Sequence, residues 1–213
     1  MKDIAIYGAG GFGREIACLL QCINEEQPDW NLVGFFDDGK EIGYETEYGK
    51  VIGGMQELNA WCTPLSIVFG IGSPGIIQSL VSKITSSLID FPNILAPDMK
   101  FLDKQNMSLG KGNIFCLGCL LSCNVHIGDF NIFNGYITIG HDTSIGNYNS
   151  FMPAVHVSGK VKIGNLNYFG VSSVILQQIE IGNNTKVGAN SLIIKRTKDN
   201  QTYLGNPASI VKY

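Results

Sequence analysis

Apolar residues recur at every sixth position along the second half of the chain. Fifteen successive positions of this series, from Leu109 to Ile193, are all apolar and no insertion interrupts them. Because 45% of all residues are apolar, chance alone would fill only about seven of these positions. The members of this column are Leu109, Phe115, Leu121, Ile127, Phe133, Ile139, Ile145, Phe151, Val157, Ile163, Phe169, Ile175, Ile181, Val187 and Ile193.

A six-residue period fits neither an α-helix nor a strand with alternating polarity. It is typical of the hexapeptide-repeat parallel β-helix, in which the column residues fill a narrow triangular interior. Glycine often follows the column residue, as at Gly140 and Gly146, and allows a sharp corner between short strands. Small or β-branched residues often stand four positions after it, as at Val125 and Thr143. Three hexads close one coil, so residues 109–193 predict somewhat fewer than five coils.

The first 97 residues have a different pattern, in which short apolar runs alternate with helical stretches. We predict strands at 4–7, 32–36, 66–69 and 90–93, with helices at 14–20 and at about 76–86. Alternating strands and helices indicate a parallel sheet. We therefore predict an α/β, Rossmann-like half domain over residues 1–97 and an all-β, left-handed parallel β-helix over residues 98–213.

A glycine-rich loop joins the first strand of the α/β domain to its first helix. Such a loop offers backbone N–H groups and a helix N-terminus to a phosphate. Asp37 ends the second strand, where a carboxylate accepts hydrogen bonds from ribose hydroxyls. The candidate substrate-binding residues are Gly8, Gly10, Gly11, Phe12, Gly13, Asp37, Asp38, Gly72 and Ser73.

The same loop is also compatible with NAD binding. A dinucleotide fold needs two mononucleotide-binding halves, and residues 1–97 provide length for one. We therefore favour a single nucleotide as the ligand. A short-chain NAD oxidoreductase remains an alternative, which a fluorescence titration with NAD(H) would detect.

One of the three histidines in the chain stands out. His141 lies two positions after a column residue, and Asp142 directly follows it, so a carboxylate is available to fix its tautomer. One coil later stands Gly159, whose N–H can face a carbonyl oxygen that gains charge. His126 and His156 occupy a different register, so we expect them to be catalytically silent and do not predict a zinc site.

Net charge and composition narrow the function classes. The net charge of −3 and the absence of a dense Lys/Arg cluster argue against nucleic acid binding. The apolar runs are too short for a membrane span, and we see no signal peptide, so we expect a cytoplasmic protein. Its six cysteines should then be reduced. We attribute Cys116 and Cys119 to packing and predict no metal site.

Together, these parts resemble a bacterial family of nucleotide-sugar acetyltransferases. The family includes the UDP-4-amino-sugar N-acetyltransferases of bacillosamine synthesis and sialic acid O-acetyltransferases. The matching segments are residues 6–14 (IYGAGGFGR), 36–38 (FDD), 139–142 (IGHD) and 204–208 (LGNPA). The resemblance implies a homotrimer with acetyl-CoA bound along the β-helix between subunits, and a UDP-amino-sugar bound by the first domain.

The resemblance also implies roles for individual residues. His141 with Asp142 corresponds to the general base and its acidic neighbour, and Gly159 to the backbone donor on the next coil. The implied acetyl-CoA site comprises Ser158, Gly159, Gly188, Ala189, Lys195, Gly205 and Pro207. Three positions depart from the family: Phe12 replaces a common histidine, Asp142 a glutamate, and Ser150 a second histidine of some members.

The sequence thus predicts an acetyl-CoA-dependent N-acetyltransferase that acts on a UDP-linked amino-sugar. A sugar or sialic acid O-acetyltransferase is the first alternative, and a non-catalytic UDP-sugar-binding scaffold is the second. Tyr136, Tyr148 and Tyr168 lie outside the interior column. We expect one face of the β-helix to be buried against identical copies in a trimer.

Overall fold

The computed structural model describes residues 1–211, and the chain divides into two compact units between Pro97 and Asp98. The first unit contains three helices and a six-stranded sheet. The second is built from two-residue strands joined by turns. None of the helices in residues 1–211 has the length and apolar character needed to cross a membrane.

The first unit is an α/β structure, as the alternating pattern predicts. The strands of its sheet are β1 (Lys2–Tyr7), β2 (Trp30–Phe36), β3 (Glu45–Thr46), β4 (Gly49–Gly53), β5 (Leu65–Phe69) and β6 (Ile89–Asp90). A further strand, β7 (Ile94–Leu95), does not belong to this sheet. Its helices are α1 (Gly11–Glu26), α2 (Met55–Asn59) and α3 (Pro74–Lys83). The sheet order is β3-β4-β2-β1-β5-β6, with parallel pairing throughout except between β3 and β4.

The buried faces of the strands and helices explain which of these elements can be predicted from the sequence. Central strand β1 is apolar and fully buried at Ile4 and Ile6, as expected of a strand that is covered on both faces. Helix α1 buries one side, including Ile16 and Leu20. The sequence does not predict the β3–β4 hairpin or helix α2, because residues 39–59 are rich in glycine and charge and lack apolar periodicity.

The second unit is a parallel β-helix with the predicted six-residue period. Its strands are β8 (Lys100–Phe101), β9 (Ser108–Leu109), β10 (Ile114–Phe115), β11 (Leu120–Leu121), β12 (His126–Ile127), β13 (Ile132–Phe133), β14 (Thr138–Ile139), β15 (Ser144–Ile145), β16 (Ser150–Phe151), β17 (His156–Val157), β18 (Lys162–Ile163), β19 (Tyr168–Phe169), β20 (Val174–Ile175), β21 (Glu180–Ile181), β22 (Lys186–Val187), β23 (Leu192–Ile193), β24 (Thr202–Gly205) and β25 (Ala208–Ile210). Every third strand pairs, so that residues 18 positions apart stack, as Leu121 does on Ile139.

The interior column is buried along its length. Fourteen of the fifteen predicted residues are at most 5% exposed, and Leu109 at the start is half-buried. Phe115, Phe133, Phe151 and Phe169 stack with ring centroids 4.3, 4.8 and 4.6 Å apart. This regular stacking confirms the β-helix.

The β-helix extends beyond the uninterrupted repeat at both ends. Phe101 pairs with Leu121, which is 20 residues away rather than 18, so the first coil contains two additional residues. Val187 pairs with Tyr203, only 16 residues away. An antiparallel pair of β24 and β25 follows. These two changes in coil length interrupt the six-residue period of the sequence, although the β-helix itself continues.

One corner of the β-helix contains a buried asparagine ladder, which the six-residue repeat does not predict. Its members Asn113, Asn131, Asn149 and Asn167 are 0% exposed. The backbone N–H and the side-chain amide of Asn149 both donate to Asn131 Oδ1, at 2.9 Å each. The side chain of Asn149 also donates to the carbonyl oxygen of Gly164 at 2.9 Å. The ladder thus satisfies backbone groups at an otherwise apolar corner.

Candidate functional site

The glycine loop lies at a point in the sheet that favours ligand binding. Strand β1 is flanked by β2 on one side and β5 on the other, so the chain reverses direction across the sheet at β1. In parallel sheets, ligands bind beyond the carboxyl ends of the strands at such a reversal. The loops after β1 (8–10) and β5 (70–73) both start from this edge.

The glycines of this region have two different roles. Gly8 has a φ of +107°, and a Cβ on Gly13 would collide with the carbonyl oxygen of Gly8. Gly70 packs equally closely, since its Cβ would lie 2.5 Å from the Cα of Gly13. Gly10 and Gly11 have no atom within 4 Å of a Cβ position. These two therefore leave open space at the start of helix α1.

Asp37 and Asp38 both hold backbone in place. Asp37 Oδ2 accepts from the N–H of Ala9 at 2.9 Å, and Oδ1 accepts from the N–H of Gly39 at 2.9 Å. Asp38 accepts from the Tyr7 hydroxyl at 2.7 Å and from the N–H of Met55 at 2.8 Å. Burial and the bond to Asp38 raise the pKa of Tyr7 above its ordinary value, which keeps the hydroxyl a donor. Asp37 thus fixes the glycine loop, while Asp38 fixes the start of α2.

A cavity of about 480 Å³ opens beside the glycine loop. Its lining residues are Ala9, Gly10, Arg14, Lys40, Tyr44, Glu45, Thr46 and Glu47. Of the predicted substrate-binding residues, only Gly10 is part of this lining. No sequence motif marks the β3 hairpin, which contributes Glu45 and Thr46. Arg14 Nη1 lies 3.4 Å from Glu47 Oε2, and Lys40 Nζ lies 3.8 Å from the centre of the Tyr44 ring. Gly72 and Ser73 do not belong to this lining.

His141 and Asp142 form a hydrogen-bonded pair in the turn after β14. His141 Nδ1 lies 2.8 Å from Asp142 Oδ2. Because an ionised carboxylate only accepts, Nδ1 carries the proton, and the lone pair of the neutral ring is on Nε2. Hydrogen bonds from Asn124 and from His141 hold the pKa of Asp142 below its ordinary value. In its neutral form the imidazole is thus backed by a carboxylate and exposes a base nitrogen.

Gly159 lies next to this imidazole on the following coil. The N–H of Lys160 donates to the carbonyl oxygen of His141 at 2.7 Å, which sets the stacking of the two turns. A Cβ on Gly159 would lie 2.5 Å from His141 Nε2. Within residues 1–211, no acceptor takes the backbone N–H of Gly159. A free base nitrogen and a free backbone donor thus occupy neighbouring turns.

The other two histidines have different surroundings. His156 Nδ1 lies 2.7 Å from Thr138 Oγ1 on the neighbouring strand. His126 Nε2 lies 3.1 Å from Asn124 Oδ1, and Asn124 in turn contacts Asp142. The register of His126 therefore differs from that of His141, as expected, but a hydrogen-bond chain connects them. In the described part of the chain, no cluster of three or more His, Cys, Asp or Glu residues is arranged to hold a metal ion.

The predicted acetyl-CoA residues fall into separate groups. Ser158 adjoins Gly159, and its carbonyl oxygen accepts from Thr143 Oγ1 at 3.3 Å. Lys195 and Pro207 line a second cavity of about 350 Å³ near the end of the β-helix. The other lining residues are Ile193, Ile194, Arg196, Lys198, Tyr203, Ala208, Ser209 and Ile210.

The remaining three residues of this group lie outside the lining of the second cavity. A Cβ on Gly188 would collide with the side chain of Leu204. A Cβ on Gly170 would collide with the backbone of Ala189, so these two residues are closely packed. Gly205 has a φ of +111°, so it serves a turn that most other residues would strain. The structure thus gives these three positions packing and backbone roles.

Comparisons with known proteins agree with this architecture. Residues 3–84 match the model of the PglD N-terminal domain. No curated protein sequence gives a significant match.

Three solved structures have the same fold over nearly the whole chain. The acetyltransferase domain of PglB from Neisseria gonorrhoeae, in complex with acetyl coenzyme A, is 25% identical, with a TM-score of 0.87 and coverage of 99% of each chain. WeeI from Acinetobacter baumannii is 25% identical, with a TM-score of 0.86 and coverage of 99% of this chain and 100% of that one. PerB from Caulobacter crescentus, in complex with CoA and GDP-perosamine, is 22% identical, with a TM-score of 0.87 and coverage of 100% and 98%. Residues 3–84 are therefore similar to the PglD N-terminal domain, a left-handed β-helix follows, and the chain has the fold of these three bacterial proteins.

Proposed function

We propose that the protein is an acetyl-CoA-dependent N-acetyltransferase that acts on a nucleotide-linked amino-sugar. The observation that carries the proposal is the His141–Asp142 pair, at 2.8 Å, with Gly159 against the free ring nitrogen. A base, a carboxylate that orients it and an unoccupied backbone donor are the groups that amine acylation requires. Acetyl coenzyme A in the PglB domain and GDP-perosamine in PerB support the two ligand classes.

The reaction needs no covalent acyl-enzyme, because the sugar amine is itself a nucleophile. Its nitrogen lone pair attacks the thioester carbonyl carbon, and the N–H of Gly159 donates to the oxygen that gains negative charge. His141 Nε2 accepts the proton that the amine loses, and Asp142 stabilises the resulting imidazolium. The tetrahedral intermediate collapses by breaking the C–S bond. His141 then returns the proton to the departing sulfur, which yields the amide and CoA.

The substrate nucleotide binds in the first unit. Its phosphates lie over Gly10 and Gly11 at the start of α1, where backbone N–H groups and open space favour an anion. Asp37 lies at the same edge for contact with the ribose. Arg14 and Lys40 line the adjoining cavity and can each contact a phosphate oxygen, although Glu45 and Glu47 line it too and Glu47 lies 3.4 Å from Arg14. The family resemblance implies uridine as the base, and guanosine, as in PerB, is compared with it in the assay.

Acetyl-CoA binds along the β-helix. Gly159 and Lys195 occupy the same turn position two coils apart, in the row that begins with Cys123 and His141. With about 4.8 Å between parallel strands, Lys195 is roughly 14 Å along this row from His141. This spacing suits an extended thioester arm with a phosphate at its far end. The working unit is a homotrimer.

The proposal is tested by incubating the purified protein with acetyl-CoA and a panel of UDP-, GDP- and dTDP-linked amino-sugars. Release of free thiol, together with an acetamide product in the mass spectrum, is the expected result. The hydroxy-sugar counterparts and sialic acid provide the comparison for O-acetylation. Binding of a nucleotide-sugar without thiol release from any acceptor would instead support a non-catalytic scaffold and contradict the proposal.

A further inference from the structure

A chain of hydrogen bonds leads from the catalytic pair to the preceding coil. Asp142 uses Oδ2 for His141, and its other oxygen, Oδ1, accepts from Asn124 Nδ2 at 2.7 Å. Asn124 Oδ1 lies 3.1 Å from His126 Nε2. His126 Nδ1 lies 2.9 Å from the Ser108 hydroxyl. Five side chains from three successive coils thus form one connected set.

Donor and acceptor chemistry permits one arrangement of this set when His126 is neutral. The Asp142 carboxylate only accepts, so the NH2 group of Asn124 must face it. Asn124 Oδ1 must then face His126, and His126 Nε2 must carry a proton to donate. The Ser108 hydroxyl in turn donates to Nδ1 of the neutral ring. The orientation of Asn124 therefore follows from its neighbours on both sides.

We propose that Asn124 is a positioning residue for the catalytic base, and that His126 holds Asn124 in place. This inference rests on the proposed function of His141. The side chains of His141 and Asp142 are 51% and 41% exposed, so packing alone does not fix them. Asn124 secures the carboxylate from the side opposite His141 and favours its ionised form. It thereby aligns the carboxylate that orients the imidazole.

Asn124→Gly removes the amide without straining the backbone. Asn124 has a φ of 53°, which glycine adopts freely. We expect kcat to fall by about tenfold, the lower end for outer-shell partners of a catalytic group, with both KM values within about twofold of wild type. His126→Ala, which acts only through Asn124, should lower kcat by a smaller factor than Asn124→Gly does.

Asn184→Gly is the matched control. Asn184 has a φ of 49° in an equivalent turn, and its amide donates to Asn200 Oδ1 at 2.9 Å. It thus shares the backbone conformation and the kind of contact, but it belongs to a different corner of the β-helix. The kcat of Asn184→Gly should equal that of the wild-type protein.

A double-mutant cycle separates positioning from general stabilisation. If Asn124 acts through Asp142, Asn124→Gly should have no further effect on kcat in an Asp142→Gly background, which also avoids strain at the positive φ of residue 142. An unchanged kcat in Asn124→Gly alone, or the same tenfold loss in both backgrounds, overturns the inference.

Nitrogen NMR of the histidine rings gives a readout that does not depend on turnover. The wild-type spectrum should show His141 as the tautomer protonated on Nδ1, and Asn124→Gly should shift it towards a mixture. A wild-type protein that transfers no acetyl group contradicts the proposed function. In that case the spectra still test the positioning role of Asn124, because an unaltered His141 tautomer in Asn124→Gly overturns that role.

Discussion

At the residue scale, Asp142 meets two demands at once. Its φ is 57°, in the left-handed region that each turn at this corner of the β-helix requires. Asp and Asn tolerate this conformation better than most residues, because their short polar side chains form local hydrogen bonds. In the same position, the carboxylate reaches the ring of the preceding residue. The turn geometry thus delivers the carboxylate to His141.

His141→Ala should lower kcat by about 10²–10⁴-fold, the usual contribution of a positioned general base. Acetyl-CoA binding should persist, because imidazole adds little ground-state affinity. Asp142→Asn should lower kcat by a smaller factor than His141→Ala does, because the base itself remains. His156→Ala is the matched control, because His156 is also exposed and bonded to a neighbour but lies on strand β17. Steady-state kinetics provide the measurement. Loss of activity in His156→Ala together with full activity in His141→Ala would refute the assignment of His141 as the base.

Gly159→Ala should displace the His141 ring, because the new methyl group would lie 2.5 Å from Nε2. We expect kcat to fall by at least about tenfold, as both the base and the backbone donor lose their alignment. Gly135→Ala serves as the control, since the nearest atom to its Cβ is 3.5 Å away. Equal kcat values for Gly159→Ala and wild type would show that this contact is not catalytic.

Asp37→Ala should raise KM for the nucleotide-sugar and leave KM for acetyl-CoA nearly unchanged. It removes both a ribose acceptor and the anchor for the N–H of Ala9. Asp37→Asn keeps one carbonyl oxygen, so it should have the smaller effect. Initial-rate kinetics with each substrate varied in turn provide the measurement. A change confined to the KM for acetyl-CoA, or no change in either constant, would remove Asp37 from the nucleotide site.

At the element scale, the β-helix is stabilised by repeated side-chain stacks. The phenylalanine column provides apolar packing at one face, and the asparagine ladder satisfies polar backbone groups at one corner. A second, more exposed row with Asp129, Asn147 and Asn165 repeats the backbone contact, as from the N–H of Asn147 to Asn165 Oδ1 at 2.7 Å. Identical neighbours one coil apart therefore supply each other's hydrogen-bond partners.

Asn149→Ala should lower the free energy of unfolding by about 1–3 kcal/mol, because it leaves buried groups without partners. Asn149 Oδ1 accepts from both the backbone and the side chain of Asn167, at 2.9 Å each. Asn183→Ala is the matched control, since Asn183 makes equivalent contacts with Asn165 on the exposed row, where water replaces them. Urea denaturation should show the smaller loss for Asn183→Ala. Equal losses would contradict a special role for burial.

Much of this element structure could be predicted from the sequence. The period of six identified the strands and the interior residues, because a column residue must face inwards in every coil. The repeat predicts a small or β-branched residue four positions after each column residue, yet at one corner this position holds Asn113, Asn131, Asn149 and Asn167. Asparagine is normally a surface residue. Its burial follows from contacts between coils, which periodicity does not describe.

At the scale of the whole molecule, we expect a homotrimer. Tyr136 is 70% exposed, and Leu117 and Val171 are each 45% exposed in turns that follow the same face of the β-helix. An apolar surface of this kind is typical of an interface between copies. Light scattering should give about 69 kDa, three times the 23.1 kDa chain. Tyr136→Ser should weaken the assembly, whereas a wild-type monomer at micromolar concentration would exclude the trimer.

The sequence by itself determined the β-helix, the α/β class of the first unit, the glycine loop and the adjacency of His141 and Asp142. These features depend on local periodicity and on neighbours along the chain, both of which can be read from the order of residues. The tertiary structure decided that β3 lines the nucleotide cavity and that Asn124 joins Asp142 to His126. Register alone places Asn124 one coil from Asp142. Which of their atoms meet depends on the turn conformation and on donor and acceptor chemistry in three dimensions.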